Sequence, residues 1–162
     1  MNNSSFIVAT KTLLAHAAIF VIMLILISIF SYFNSLNNYT CIMLLISVLG
    51  MYLYSGYILT NSKTQGYKYF AVAIIGLLIW ITAYITSPNS LNYKSDSEAG
   101  IWMIYRYYIA GIETPLNYIS SFNIADNYSI RLEMYIIAFL PILASVMQYF
   151  GAKWKLTRLS KV

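Results

Sequence analysis

Four apolar windows, residues 13–33, 41–60, 69–87 and 132–150, hold among them a single formal charge, Glu133. Hydrocarbon solvates neither charges nor open backbone, and about 20 helical residues rising roughly 1.5 Å each cover a bilayer core. Windows of this length point to four transmembrane helices. Composition agrees, because 60% apolar against 9% charged residues leaves too few ionic side chains to coat a soluble globule of 162 residues. The expectation is an all-α integral membrane protein, a single four-span domain over residues 1–162 without internal repeats.

Basic residues orient the spans. Lys11, Lys63, Lys68, Lys153, Lys155, Arg158 and Lys161 fall on the side of Met1, and Lys94, Arg106 and Arg131 fall on the other. Lysine and arginine near span ends are retained in the cytoplasm during insertion, so both termini are expected to be cytoplasmic and the location the cell membrane. All five acidic residues, Asp96, Glu98, Glu113, Asp126 and Glu133, belong to the outer side. The inner face then suits an anionic leaflet. The net charge of +5 follows this topology and marks no basic domain, so no nucleic-acid partner is expected. Lys11 before an apolar run has the outline of a secretory signal. The run is too long, however, and no small-x-small cleavage pattern follows Phe33, so it reads as an uncleaved first span.

Between spans, the uncharged turn Asn34–Thr40 makes the first two helices antiparallel neighbours, and Asn61–Lys68 returns the chain through Gly66. Ser87-Pro88-Asn89 is a stop signal. Residues 88–131 form the one large outer segment. Within it Ile101, Ile104, Tyr105, Tyr108, Ile109 and Ile112 keep helical spacing, while Arg106 and Glu113 would each cost about 2.5 to 3.5 kcal/mol at mid-membrane. Pro115 interrupts the run as well. The segment therefore reads as an interfacial amphipathic helix on the outer surface. In the fourth span Pro141 predicts a kink and a freed carbonyl, to be met by Ser145 or a neighbouring helix. Residues 151–162 form a cytoplasmic basic tail that anchors at the interface through Lys153, Trp154, Lys155 and Arg158. Ser47, Gly50, Ala73, Gly76, Ala138 and Ala144 are small enough for close helix approach.

Chemistry-bearing residues are few. Cys41 is the only cysteine, which excludes an intrachain disulfide and paired-thiol redox chemistry. One histidine, His16, cannot make a bis-histidine haem site, and no zinc pattern or phosphate-cradling glycine loop occurs. No cofactor or metal is expected. Neither a Ser-x-x-Lys nor a Gly-x-Ser-x-Gly pattern is present, so no catalytic residue is assigned. Glu113 and Glu133 with Arg106 could form a paired-carboxylate site. Ion pairs between the outer segment and the last span, Arg106 with Glu133 or Glu113 with Arg131, account for the same residues more simply. His16 titrates near neutrality in water, yet no carboxylate shares its expected depth to complete a relay.

The expected function is contact with other proteins, as an accessory, regulatory or protective (immunity-like) membrane component. Its partners are then the lipid bilayer and a protein partner or a second copy of the chain. Aromatic and arginine side chains dominate binding hot spots, which nominates Trp102, Arg106, Tyr108 and Glu113 for recognition. The alternative is a small solute or ion transporter or channel subunit. Ser28, Ser47, Ser55, Thr82, Thr86, Ser145 and Gln148 are the polar residues it would use, but they form no continuous stripe.

Overall fold

The computed structural model describes residues 3–60, 66–87, 100–119 and 134–160. Every described element is helical: α1 (Asn3–Tyr32), α2 (Asn38–Leu59), a 3-10 turn (Gly66–Phe70) opening α3 (Ala71–Thr86), α4 (Gly100–Ile119), and a helical turn at 134–137 that leads into α5 (Leu140–Leu159). Four stretches are long and apolar enough to cross a membrane: Phe6–Tyr32, Asn38–Leu59, Lys68–Thr86 and Met134–Leu159. The segments around Asp96, Glu98, Asp126, Arg131 and Glu133 lie outside the described residues.

Local sequence fixes the first corner. Asn34 takes the left-handed conformation (φ 50) just past the end of α1. Asparagine tolerates this because its short polar side chain relieves the Cβ penalty. The amides of Asn34 and Ser35 then return to the carbonyls of Ser31 and Phe30, the Schellman pattern that satisfies the last open carbonyls of a helix. Three residues on, Asn37 and Thr40 exchange side-chain-to-amide bonds at 3.0 and 2.8 Å, a capping box for α2.

Register along the bundle follows from buried bonds. The His16 imidazole meets the Tyr52 hydroxyl at 2.6 Å, about 24 Å back from Tyr32 on α1 and about 21 Å on from Asn38 on α2. The two helices are an antiparallel pair. Thr60, which ends α2, shares a hydroxyl bond with Tyr69 at the start of α3, and Lys155 near the end of α5 donates to the Thr60 carbonyl at 2.7 Å. One end of the bundle thus gathers Lys11, Lys68, Lys153, Lys155 and Arg158. This is the basic end of the bundle.

Pro141 acts differently from the expected mid-span kink. The helix breaks before it, at 138–139, and restarts with proline in the first turn of α5, where a missing N–H costs nothing. The amides of Ala138 and Phe139 tighten onto Tyr135 and Ile136, three residues back. Two carbonyls lose their helical donors in consequence, Met134 to the tightened turn and Ile137 to the proline.

Helix α4 packs along the bundle and is more deeply embedded than a helix resting on its outer surface. It contacts α1, α2 and α3. Trp102 bonds Ser87, just past the end of α3, and Tyr108 bonds the carbonyl of Val72 at its start, acceptors about 22 Å apart along that helix. The amphipathic spacing read from the sequence holds in part: Tyr105, Ile109 and Ile112 face the core together with Trp102 and Glu113, whereas Ile104, expected on the same face, points outward with Met103 and Tyr107.

Candidate functional site: the hydrogen-bonded seam of helix 4

Three residues of α4 spaced by three, Trp102, Tyr105 and Tyr108, each send a donor to a different acceptor. This spacing keeps them on one side of a 3.6-residue helix. The Trp102 indole N–H donates to Ser87 Oγ, which in turn donates to the Ala83 carbonyl. The Tyr105 hydroxyl donates at 2.8 Å to the carbonyl of Ile137, the one that Pro141 released. Tyr108 donates to Val72 at 2.7 Å. From α3, the Trp80 indole donates at 2.8 Å to the other freed carbonyl, that of Met134. Broken helix backbone away from water is stable only when neighbouring groups re-satisfy it, and aromatic donors do so here.

His16 joins α1 to two other helices. Its Nε2 lies 3.0 Å from the Tyr108 carbonyl, and a carbonyl can only accept, so Nε2 carries the proton. In the neutral ring Nδ1 is then an acceptor and Tyr52 is its donor. The ring also lies against Tyr108, with centroids 4.5 Å apart.

Toward the basic end the polar seam continues. Ser145 Oγ accepts from the Ala73 amide at 2.9 Å, meeting an open first-turn donor of α3 and not the carbonyl freed at Pro141. Gln148 is fully buried, and its Nε2 reaches Ser55 Oγ at 3.3 Å and the Thr12 carbonyl at 3.5 Å. Gln148 Oε1 meets no donor. Beside it α2 and α5 approach to backbone contact, with Gly56 against the Gln148 carbonyl and Gly151 against that of Leu53.

The four nominated recognition residues are thus distributed unequally. Trp102 is 1% exposed and Glu113 3%, and both are committed to the chain's own interior. Tyr108 is partly buried with its hydroxyl and carbonyl both engaged. Arg106 is the most accessible, its side chain 37% exposed and its Nε 3.1 Å from Glu113 Oε1 two turns further along α4. Asn117 also approaches that oxygen, at 3.4 Å. The expected pairings of Arg106 with Glu133 and of Glu113 with Arg131 lie outside the described residues. Aromatic rings with polar tips suit an exposed hot spot and a buried donor equally, and the sequence could not separate the two uses. Tyr52, Trp80, Gly56 and Gly151 went unremarked in the sequence, and Tyr105 was read only as part of an apolar face. The available signal was the Trp102–Tyr105–Tyr108 spacing together with Pro141, since a proline inside an apolar window announces a carbonyl that needs a donor.

No three His, Cys, Asp or Glu side chains gather among the described residues as a metal site requires, and Cys41 is buried at the start of α2. The arrangement defines an all-helical protein in which four helices long and apolar enough to span a membrane are knitted by buried polar groups. Comparison with protein-family models, with curated proteins and with solved structures finds no match.

Proposed function

We propose that this chain is a multi-pass protein of the cell membrane, with both termini cytoplasmic, that acts through protein contacts as an accessory, regulatory or protective component. The observation that carries the proposal is the division of labour on α4. Its inner side is bonded to the neighbouring helices, while Met103, Ile104 and Tyr107 stand 59 to 62% exposed on the other, next to the Arg106 head. Close α2–α5 packing also disfavours a bundle that must open and close around a solute. The partner is another membrane protein or a second copy of the chain, and the recognition surface centres on Arg106 and Tyr107 in place of Trp102 and Glu113.

A photo-crosslinker at position 104 in native membranes should give a discrete adduct with a second polypeptide. The triple change Met103→Ala, Ile104→Ala, Tyr107→Ala should weaken partner retention at least about tenfold and leave the thermal midpoint near its original value, because these side chains face away from the core. Adducts with lipid alone, or unchanged retention, would remove the basis for the proposal. The transporter alternative draws on Gln148, whose buried free carbonyl is the kind of group a solute path uses. Solute-dependent flux from liposomes holding only this chain would favour it.

Orientation has its own test. Reporter fusions at residue 65 and at the C-terminus should read as cytoplasmic and those at 37 and 95 as external, because seven of the ten basic residues fall on the first side. A cytoplasmic signal at 95 would overturn the four-span topology.

A further inference from the structure

The helices whose ends form the basic end, α1, α2, α3 and α5, contain no aspartate or glutamate. Here the last turns of α2 and α5 form one cluster. The Tyr57 and Trp154 rings meet edge to face at 5.9 Å, the Lys155 ammonium lies 5.5 Å from the centre of the Tyr57 ring, and the Arg158 guanidinium lies 5.0 Å from that of Trp154. Lys155 also donates to the Thr60 carbonyl, where a cation favours the negative end of the α2 dipole. Both cations are held in place over rings, and ordering two long side chains in advance lowers the entropy an anion must overcome to bind them.

We infer that this cluster binds the phosphate of an anionic phospholipid, with Arg158 and Lys155 as the phosphate ligands. A guanidinium presents a planar fork that matches two phosphate oxygens, and three ammonium donors leave Lys155 two to spare after Thr60. Trp154 and Tyr57 occupy the amphipathic position that tryptophan and tyrosine take at headgroup depth. The surface below the cluster identifies the rest of the ligand. One helical turn away lie Phe150 (52% exposed) on α5 and Tyr54 on α2, an apolar flank that continues from the cations and fits acyl chains. A soluble phosphate would leave that flank unused. The inference rests on the reading of the four helices as membrane spans, which alkaline extraction of membranes tests separately: release of the chain would sink that reading before any lipid is added.

The binding experiment uses the full chain in a neutral detergent, titrated with phosphatidylglycerol, phosphatidylcholine or inorganic phosphate and followed by the thermal midpoint. Phosphatidylglycerol should raise the midpoint saturably, and phosphatidylcholine and phosphate should not. Arg158→Gln should weaken the apparent affinity about tenfold, as should Lys155→Met, while Lys11→Met, which removes an equal charge elsewhere at the same end, should leave it unchanged. Lys155→Met also removes the cap on Thr60, so Arg158→Gln, at an exposed position, is the decisive variant if the lysine change impairs folding. Equal shifts with phosphatidylcholine, equal effects of Lys11→Met and Arg158→Gln, or wild-type affinity in Arg158→Gln would each overturn the site. An equal response to inorganic phosphate would overturn the lipid as its occupant.

Discussion

Alanine at Gly56 or Gly151 is expected to force α2 away from α5 and to cost about 3 kcal/mol, the upper end of typical overpacking penalties. A methyl group on Gly56 falls on the backbone carbonyl of Gln148, and one on Gly151 falls on the carbonyl of Leu53 and the amide of Tyr57. Backbone has no alternative rotamer, so relief requires translation of a whole helix. That movement would pull Gln148 from Ser55 and Lys155 from Thr60, bonds made across the same interface. Gly50 supplies the control, because nothing lies within 4 Å of a methyl group built there. Gly50→Ala should be neutral or stabilising by up to about 1 kcal/mol through helix propensity. The two damaging changes should add to less than their sum, since the helices part only once. Unfolding midpoints in a mixed-micelle denaturant series would compare the wild type with the three single variants and the double variant. A Gly56→Ala midpoint equal to that of the wild type would show that the backbone contact is absent in the folded protein.

Hydropathy is a property of single residues summed along a line, and for that reason the long helices were legible. The windows 41–60 and 69–87 match α2 and α3 to within a few residues. Polar or charged residues concealed the rest of α1 and α5: α1 begins at Asn3, ahead of Lys11, and α5 continues to Leu159 through Lys153, Lys155 and Arg158. In that tail the Lys155 ammonium and the Arg158 guanidinium lie over rings, contacts that support the helix beyond its apolar part. Interhelical contacts are a property of pairs, and these were not legible. Glycines at 56 and 151 carry no sign of facing one another, whereas Gly50, nominated for close approach, faces open space. The amphipathic spacing of α4 placed Tyr105, Ile109 and Ile112 on one face but wrongly added Ile104, and it did not tell what that face meets. A surface and a bundle interior both accept Trp102, Tyr105 and Tyr108, and only the freed carbonyl of Ile137 and the position of Val72 decide between them.

His16 provides the second large effect and separates a knitting role from a proton-handling one. Phenylalanine at position 16 keeps an aromatic ring in place but removes the acceptor of the Tyr52 hydroxyl and the donor to the Tyr108 carbonyl. Tyr52 is 1% exposed, so water cannot replace the lost partner, and an orphaned buried hydroxyl costs about 1 to 3 kcal/mol. Tyr52→Phe should cost a comparable amount by leaving Nδ1 without a donor. Removing both partners leaves no orphan between them, so the double variant should recover at least about 1 kcal/mol relative to the sum of the singles. A nitrogen-15 spectrum of the labelled imidazole should show the proton on Nε2 in the wild type and in Tyr52→Phe alike, since the Tyr108 carbonyl fixes it there. Additive single effects, or a proton on Nδ1, would contradict the bonding pattern. The functional consequence then follows from the double variant. If His16 serves only to tie α1 to α2 and α4, partner retention should return with stability in His16→Phe/Tyr52→Phe. If His16 moves protons, the restored fold will remain inactive, because two phenylalanines cannot carry a proton between helices.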